Sequence, residues 1–439
     1  METKENENKQ NLSVINYKNN KYYNTAKYPI RQPIYLTWLI WVLSKMMLVG
    51  KKFEVDRVNM DGIKPPYMLL SNHMSFIDFE LVSVGTYPQR MNNVVNIDGY
   101  YKRPWLMEWI GSIGTRKFTQ DLHLVKSIKK VLSRGDVLTM YPEARYSPCG
   151  TTSSFPDTVA NLIKKNNVPV VVAIHRGNHL HSPVWNYMKK RNVPLHTTIT
   201  QILSKEQVES MTATEINEKL REAFQYDDYQ YQKDNNILIT EAFRAEGLHK
   251  ILYQCPHCKT EFSMSSEGAE IFCEKCGKRW LWQENGYLKT IDGETEFNHI
   301  PDWYEWQREQ VREQILNKDY YFEDDVDVYS QPHCWKYRPL GRAKLVHDID
   351  EGFILKGNYR DKDYCIQRFP IENMALHVEY DFAKIKKTRV PDCIDISTEK
   401  DSFYCYPTNP RVVTKLALAT EELFKIKYQE IKTNNKKSD

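Results

Sequence analysis

The stretch "LLSNHMSFIDFELV", residues 69–82, places His73 and Asp78 five positions apart, between an apolar run and the opening of a helix. It reads as a strand end turning into a first helical turn, the kind of corner where parallel sheets gather their sites. Ser75 is a good N-cap residue and Asp78 follows three positions later, the spacing of a capping box, so the carboxylate has a plain structural use. The same carboxylate can accept from Nδ1 of an imidazole folded back from the loop, which would fix its tautomer and leave Nε2 as a base. That is a triad without its serine, and the hydroxyl of a bound substrate can take the nucleophile's place. The pair alone leaves both uses open.

Working outward, strand-like and helix-like segments alternate from residue 53 to about residue 245. "FEVDRVN", "YMLLSN", "VLTMYP" and "VPVVVAI" read as strands; "LHLVKSIKKVLSRGD" and "DTVANLIKKNN" read as helices. In the first helix Asp121 caps the start and Gly135 marks the stop. Such alternation predicts right-handed crossovers and an α/β fold, a mostly parallel sheet flanked by helices. His73 then lies at the carboxyl end of a strand.

Four blocks in this region carry a family resemblance. "NHMSFID", with Asn72, His73 and Asp78, resembles the NHX4D block of the glycerophosphate/lysophosphatidic acid acyltransferase superfamily. "GSIGTRKF", "MYPEARYS" and "VPVVVAIHRG" resemble its second, third and fourth blocks, in the family's order, and the likeness covers roughly residues 30–245. It implies His73 as general base, Asp78 as its orienting partner, and Asn72, Arg116, Lys117, Glu143 and Arg145 as residues that bind the acceptor and its phosphate. A phosphate monoester needs guanidinium or ammonium partners, which suits those roles. The departures are specific. Lys117 stands where the family has arginine, with Arg116 one residue earlier, so either one is a candidate for the phosphate. In the third block Ala144, Arg145 and Tyr146 stand for glycine, threonine and arginine, so the guanidinium has moved by one position. In the fourth block Val172 stands where a second proline is common, and that strand is expected to have a shape role only. The histidines of "HRGNHLH" have no neighbouring carboxylate to complete a metal set, and Cys149 has no adjacent base in sequence, so neither reads as a reactive centre.

The chain is 439 residues long and 41% hydrophobic, enough for two or three folded domains and too apolar for a disordered protein. Lys and Arg total 61 against 57 Asp and Glu, a slight basic excess that suits an anionic membrane surface better than bulk nucleic-acid binding. Residues 1–28 are rich in Asn, Lys and Glu and lack the apolar core of a secretory signal, so a mobile tail is expected. Residues 34–49 then form an apolar stretch of roughly 24 Å as a helix, short of the roughly 30 Å hydrocarbon core of a bilayer. Thr37, Ser44 and Lys51 make a narrow polar stripe beside a broad apolar face with Trp38 and Trp41. This predicts a helix lying in the membrane interface, with Lys51 and Lys52 at the headgroups, a buried core helix being the alternative.

Four of the nine cysteines form two close pairs, "CPHC" and "CEKC", in residues 250–290. The spacing of Cys255, Cys258, Cys273 and Cys276 predicts a zinc ribbon in a reducing cytosol; with all four positions filled by cysteine the zinc is structural, and His257 reads as a neighbour. An amphipathic connector helix is expected in 291–320. Residues 321–439 read as a β-rich domain with one long terminal helix, resembling in architecture a small barrel of the pleckstrin-homology type that could bind a headgroup or a protein partner.

Together these readings predict a cytoplasmic enzyme held at the inner face of the cell membrane, an O-acyltransferase of phospholipid biosynthesis. It would carry a fatty acyl group from acyl-CoA or acyl-ACP to a lysophospholipid, 1-acylglycerol 3-phosphate being the expected acceptor and phosphatidic acid the product. No catalytic cofactor is required, and backbone amides of the loop are expected to hold the oxyanion. A different lysophospholipid or amino-lipid acceptor, or a non-catalytic lipid-binding scaffold, is the alternative.

Overall fold

The computed structural model describes residues 27–186, 188–332, 336–380 and 391–438, so most of the expected tail at 1–28 lies outside the described residues. Its first sheet has seven strands: β1 (Phe53–Val58), β2 (Tyr67–Ser71), β3 (Met91–Asn96), β4 (Ile113–Thr115), β5 (Val137–Met140), β6 (Val170–Arg176) and β7 (Leu195–Leu203). They are arranged β1-β7-β6-β2-β5-β3-β4. All neighbouring pairs are parallel except β6 and β7.

β2 is central and buried along its whole length. Its side chains alternate between two apolar layers. Met68 and Leu70 face one cluster with Ile128, Val131 and Leu220, whereas Tyr67 and Leu69 face another with Val82 and Ile199. Helices therefore cover both faces, which is why the strand reads as an unbroken apolar run. They are α1 (Ile34–Met47), α2 (Asp78–Thr86), α3 (Pro104–Trp109), α4 (Leu122–Ser133), α5 (Thr158–Asn166), α6 (Asn178–His181), α7 (Lys205–Ser210), α8 (Ala213–Ala223) and α9 (Asp228–Asp234). Asp121 caps α4 by accepting from the Leu124 amide at 2.8 Å. After the helix Gly135 takes φ +82, as its stop position requires.

α1 ends at Met47, two residues before the expected boundary. It packs on α2; Leu36, Thr37 and Ser44 are its buried residues, and Thr37 donates to Gln32 Oε1 at 3.1 Å. Ile34, Tyr35, Trp38, Leu43, Met46 and Met47 are exposed. The apolar face thus points away from the protein, and α1 is not a core helix. No helix among the described residues is long and apolar enough to cross a membrane.

The second sheet is antiparallel: β8 (Met264–Glu267), β9 (Glu270–Cys273), β10 (Arg279–Trp282) and β11 (Leu288–Thr290). α10 (Ile300–Leu316) follows it and packs against α11 (Val413–Ser438). The third sheet has seven antiparallel strands: β12 (Tyr321–Ser330), β13 (Arg338–Asp348), β14 (Gly352–Tyr359), β15 (Lys362–Arg368), β16 (His377–Glu379), β17 (Cys393–Ser397) and β18 (Ser402–Tyr406). Their order is β15-β14-β13-β12-β18-β17-β16, and α11 closes the chain. One apolar cluster runs through Trp185 and Tyr229, then Trp280 and Trp282 of the second sheet, Trp303 of α10, and Leu345, Phe403 and Leu416. The second and third sheets therefore share one apolar core with residues that follow β6 and β7 of the first unit.

The C-terminal unit also docks through charge. Arg145 pairs with Glu421 of α11 and donates to the Leu376 carbonyl at 3.1 Å, while Arg308 of α10 reaches the other oxygen of Glu421 at 2.7 Å. Burial alone would raise the pKa of Glu421, but Arg145 and Arg308 hold it at about 2 against an ordinary 4.5. A depressed carboxylate stabilises the fold fully above its ordinary value, so this contribution should be complete above pH 4.5 and lost as pH falls toward about 2. Glu421→Gln takes the carboxylate from the buried Arg145 guanidinium, while Arg308 keeps Glu305 and Glu422, and the unpaired charge should cost about 3–5 kcal/mol at neutral pH. Denaturant unfolding of the variant checks this, and an unchanged midpoint would refute the role given to the pair.

Candidate functional site

The parallel order brings the carboxyl ends of β2, β4, β5 and β6 to one edge of the sheet, and the four sequence blocks meet there. His73 leaves β2 and turns its Nδ1 to Asp78 Oδ2 at 3.0 Å. The same oxygen accepts from the amides of Met74 at 2.7 Å and Ser75 at 3.0 Å, and Oδ1 accepts from Asn178 Nδ2 at 2.7 Å. Asp78 is wholly buried. Burial would raise its pKa, but His175, His73 and Asn178 outweigh it and hold the carboxyl below its ordinary range.

The structural and chemical uses of Asp78 therefore coexist. Its carboxylate takes the backbone half of the capping box, but the Ser75 hydroxyl is buried without a partner and α2 begins at Asp78 itself. With Nδ1–H given to Asp78, Nε2 of His73 keeps its lone pair, and no described residue hydrogen-bonds to it. The ring packs against Tyr141 at 4.2 Å and Tyr146 at 4.1 Å between centroids, and 24% of its side chain remains exposed. Burial lowers the His73 pKa most, Asp78 opposes this, and Lys117 lowers it further, so the imidazole stays neutral at physiological pH.

The expected acceptor-binding residues separate into different places. Asn72 is not turned to a ligand: its amide donates to the His175 carbonyl at 3.0 Å and accepts from the His175 amide at 2.8 Å, tying β2 to β6. Glu143 accepts from the amides of His73 at 3.2 Å and Ser153 at 3.0 Å and from Tyr226 OH at 2.7 Å, so it braces the loop. Arg116 gives its guanidinium to the carbonyls of Gln331 (3.0 Å), Pro332 (2.7 Å) and Lys400 (3.1 Å) and to Ser402 Oγ (2.8 Å). Arg145 is buried against Leu376 and Glu421. Neither guanidinium is open to a phosphate. Of the cations named from the sequence, Lys117 is the one whose charge acts on His73. The amides of His73, Met74 and Ser75 are all taken by carboxylates, which removes them as the expected oxyanion donors.

The other singled-out residues behave as inert. His175 is fixed between Ser71 Oγ at 3.0 Å and Thr197 Oγ1 at 2.8 Å, and His181 Nδ1 faces the Arg191 carbonyl at 2.6 Å. Burial pushes the Cys149 thiol up to about 12. Sequence reasoning missed Asn178, which lies just past the fourth block, and the tyrosines packed on His73. Tyr146 had a signal, since it occupies the family's arginine position.

Cys255, Cys258, Cys273 and Cys276 converge, with all four sulfurs within 4.8 Å of one another. Two cross-pairs lie at 3.8 Å (Cys255–Cys276) and 3.7 Å (Cys258–Cys273). A tetrahedral ion with metal–sulfur bonds of about 2.3 Å sets its ligands about 3.8 Å apart, so this group can hold a metal. Each knuckle turns through a left-handed residue after its second cysteine, Lys259 at φ +62 and Gly277 at φ +76. His257 lies outside, 3.5 Å from Glu296.

No family model matches the sequence. No curated protein matches it either. Among solved structures, the crystal structure of the 1-acyl-sn-glycerophosphate (LPA) acyltransferase PlsC from Thermotoga maritima aligns with 43% of this chain and 77% of its own, at 15% identity and a TM-score of 0.36. The functional reading rests on the geometry of the site.

Elemental analysis of the purified chain should find one ion per chain, with zinc expected from the four-thiolate set, and Cys273→Ser should abolish binding. A wild-type chain purified without chelators and free of metal would count against the ribbon.

Proposed function

We propose that the chain is an acyltransferase that moves a fatty acyl group from a thioester, acyl-CoA or acyl-ACP, to the hydroxyl of a lysophospholipid at the inner face of the cell membrane. The observation that carries this reading is a neutral imidazole whose Nδ1 is anchored to a buried carboxylate and whose Nε2 is free beside the sheet edge. Nε2 takes the proton of the acceptor hydroxyl as its oxygen attacks the thioester carbonyl. A carbon–oxygen bond forms, the carbon–sulfur bond breaks, and the imidazolium returns the proton to the leaving thiolate. Asp78 holds the tautomer and stabilises the imidazolium; no metal takes part, and the four-cysteine group serves the fold with a structural zinc.

The resemblance of the blocks points to 1-acylglycerol 3-phosphate as acceptor. A specific observation favours a different lysophospholipid: the two arginines expected at the phosphate are engaged with the C-terminal unit. A non-catalytic scaffold is disfavoured by the cost of keeping a buried carboxylate trained on a partly exposed histidine. The outward apolar face of α1 supports residence on a membrane surface, with Trp38, Met46 and Met47 in the interface.

Incubation of the purified protein with labelled acyl thioesters and a lysolipid panel should yield a diacyl product, and His73→Ala should lower turnover by on the order of 10² to 10⁴ fold. Near-normal turnover in that variant would remove the base assignment. Replacing Trp38 and Met46 together by glutamate should weaken sedimentation with phosphatidylglycerol vesicles by about 10-fold or more. Equal sedimentation would place the membrane contact elsewhere.

A further inference from the structure

Two tryptophans of α3 face water although the helix packs well on its other side. Pro104 is buried and Met107 packs on Ile97 and Tyr100. Trp105 and Trp109 are four positions apart and so share one face of the helix; 63% of Trp105 and 38% of Trp109 is exposed. Among the described residues three tryptophans are exposed, and the third is Trp38 of α1. Trp109 and Tyr35 of α1 stand 6.3 Å apart between ring centroids, which joins the two helices into one aromatic surface. Their placement is fixed by Asn92, whose amide donates to the carbonyls of Ile30, ahead of α1, and Gly111, just after α3.

The charge around this surface is of one sign. From residue 27 to residue 53 the chain carries five cations and no carboxylate. Lys102 and Arg103, both exposed, stand directly before α3. The one carboxylate of α3, Glu108, is paired with Lys27 at 2.9 Å. Indole and phenol rings have an apolar body and a polar tip, a combination that settles at the level of lipid headgroups. Cations beside them meet anionic phosphates there. A second copy of the chain would bring like charges together, and residues 1–26, rich in Asn, Lys and Glu, are a poor cover for exposed rings.

We propose that α3 is a second membrane contact, in which Trp105 and Trp109 enter the headgroup layer of an anionic phospholipid surface alongside α1. This deepens the membrane-surface reading given above and rests on it. The C-terminal end of α1 lies at the His73 edge, where Leu48 shares an apolar cluster with Ile77 and Leu81. Tyr35 and Trp109 lie at the other end of the helix. A single helix lying on a surface can roll about its own axis. A second helix beside it stops the rolling and sets the height at which the His73 edge meets the lipid.

The test measures sedimentation of the full chain with phosphatidylglycerol vesicles and with phosphatidylcholine vesicles. Wild type should bind the anionic vesicles about 10-fold or more tightly, with the difference shrinking at high salt. Trp105→Ala combined with Trp109→Ala, with α1 intact, should weaken binding to phosphatidylglycerol by on the order of 10-fold and leave the thermal midpoint in solution unchanged. No binding by wild type, equal binding to both lipids, or a double variant that sediments like wild type overturns the proposal. Unaltered sedimentation together with a lost dimer assigns the face to a second copy, and together with a lowered midpoint assigns it to the chain itself; both overturn it as well. Sedimentation needs no turnover, so a failure of acyl transfer leaves this result readable. Where transfer is observed, the double variant should lose kcat/KM on vesicle-borne lysolipid by a similar factor and match wild type on a short-chain lysolipid that stays monomeric. An equal loss on both overturns the docking role.

Discussion

The buried charge of Asp78 organises the edge of the first sheet at which His73 sits. An ionised carboxylate removed from water is tolerated only when fully partnered, and this one gathers the His73 ring, two backbone amides and the Asn178 amide. Those partners come from the loop after β2 and from the segment after β6, while Asp78 itself opens α2. One side chain thus fixes the exit of the central strand, the entry of a helix and the tautomer of a histidine. Glu143 acts in parallel, tying the third block to the His73 amide and to Tyr226.

Around that centre, positions that the sequence patterns assign to ligand contact have been taken over by the rest of the chain. Arg116 ends in carbonyls of the third sheet and Arg145 in a carboxylate of α11. A buried guanidinium with several acceptors makes a directional clamp, and two clamps on neighbouring loops orient the C-terminal unit over the sheet edge. The one-residue displacement of arginine in the third block has a physical meaning: Arg145 turns away to Glu421, while Tyr146 packs on His73.

Features encoded locally could be read before any coordinates were known. The alternation of strands and helices, the caps of α4, the His73–Asp78 spacing and the paired cysteines all depend on residues within one turn, one strand or one knuckle. Features that depend on distant partners could not. The destinations of Arg116 and Arg145 lie more than two hundred residues away, and no local pattern marks them. The acidic stretch "YFEDDVDVYS" carries little apolar pattern of its own, yet in β12 Glu323, Asp325 and Asp327 alternate outward while Val326 and Val328 turn in. The polar stripe of α1 was visible, but only packing shows that Thr37 and Ser44 face the protein and the apolar side chains face out.

The apolar cluster that passes from Trp185 through the second sheet to α11 bears on how the chain can be divided. A cut near residue 250 would strip indole and phenol rings from both fragments at once, since Trp185 and Tyr229 on one side meet Trp282 on the other. The His73 half would then carry a raw greasy scar in place of a surface. Divergence, proteolysis or engineering must accordingly treat the three sheets as one inheritance, to be kept or lost together.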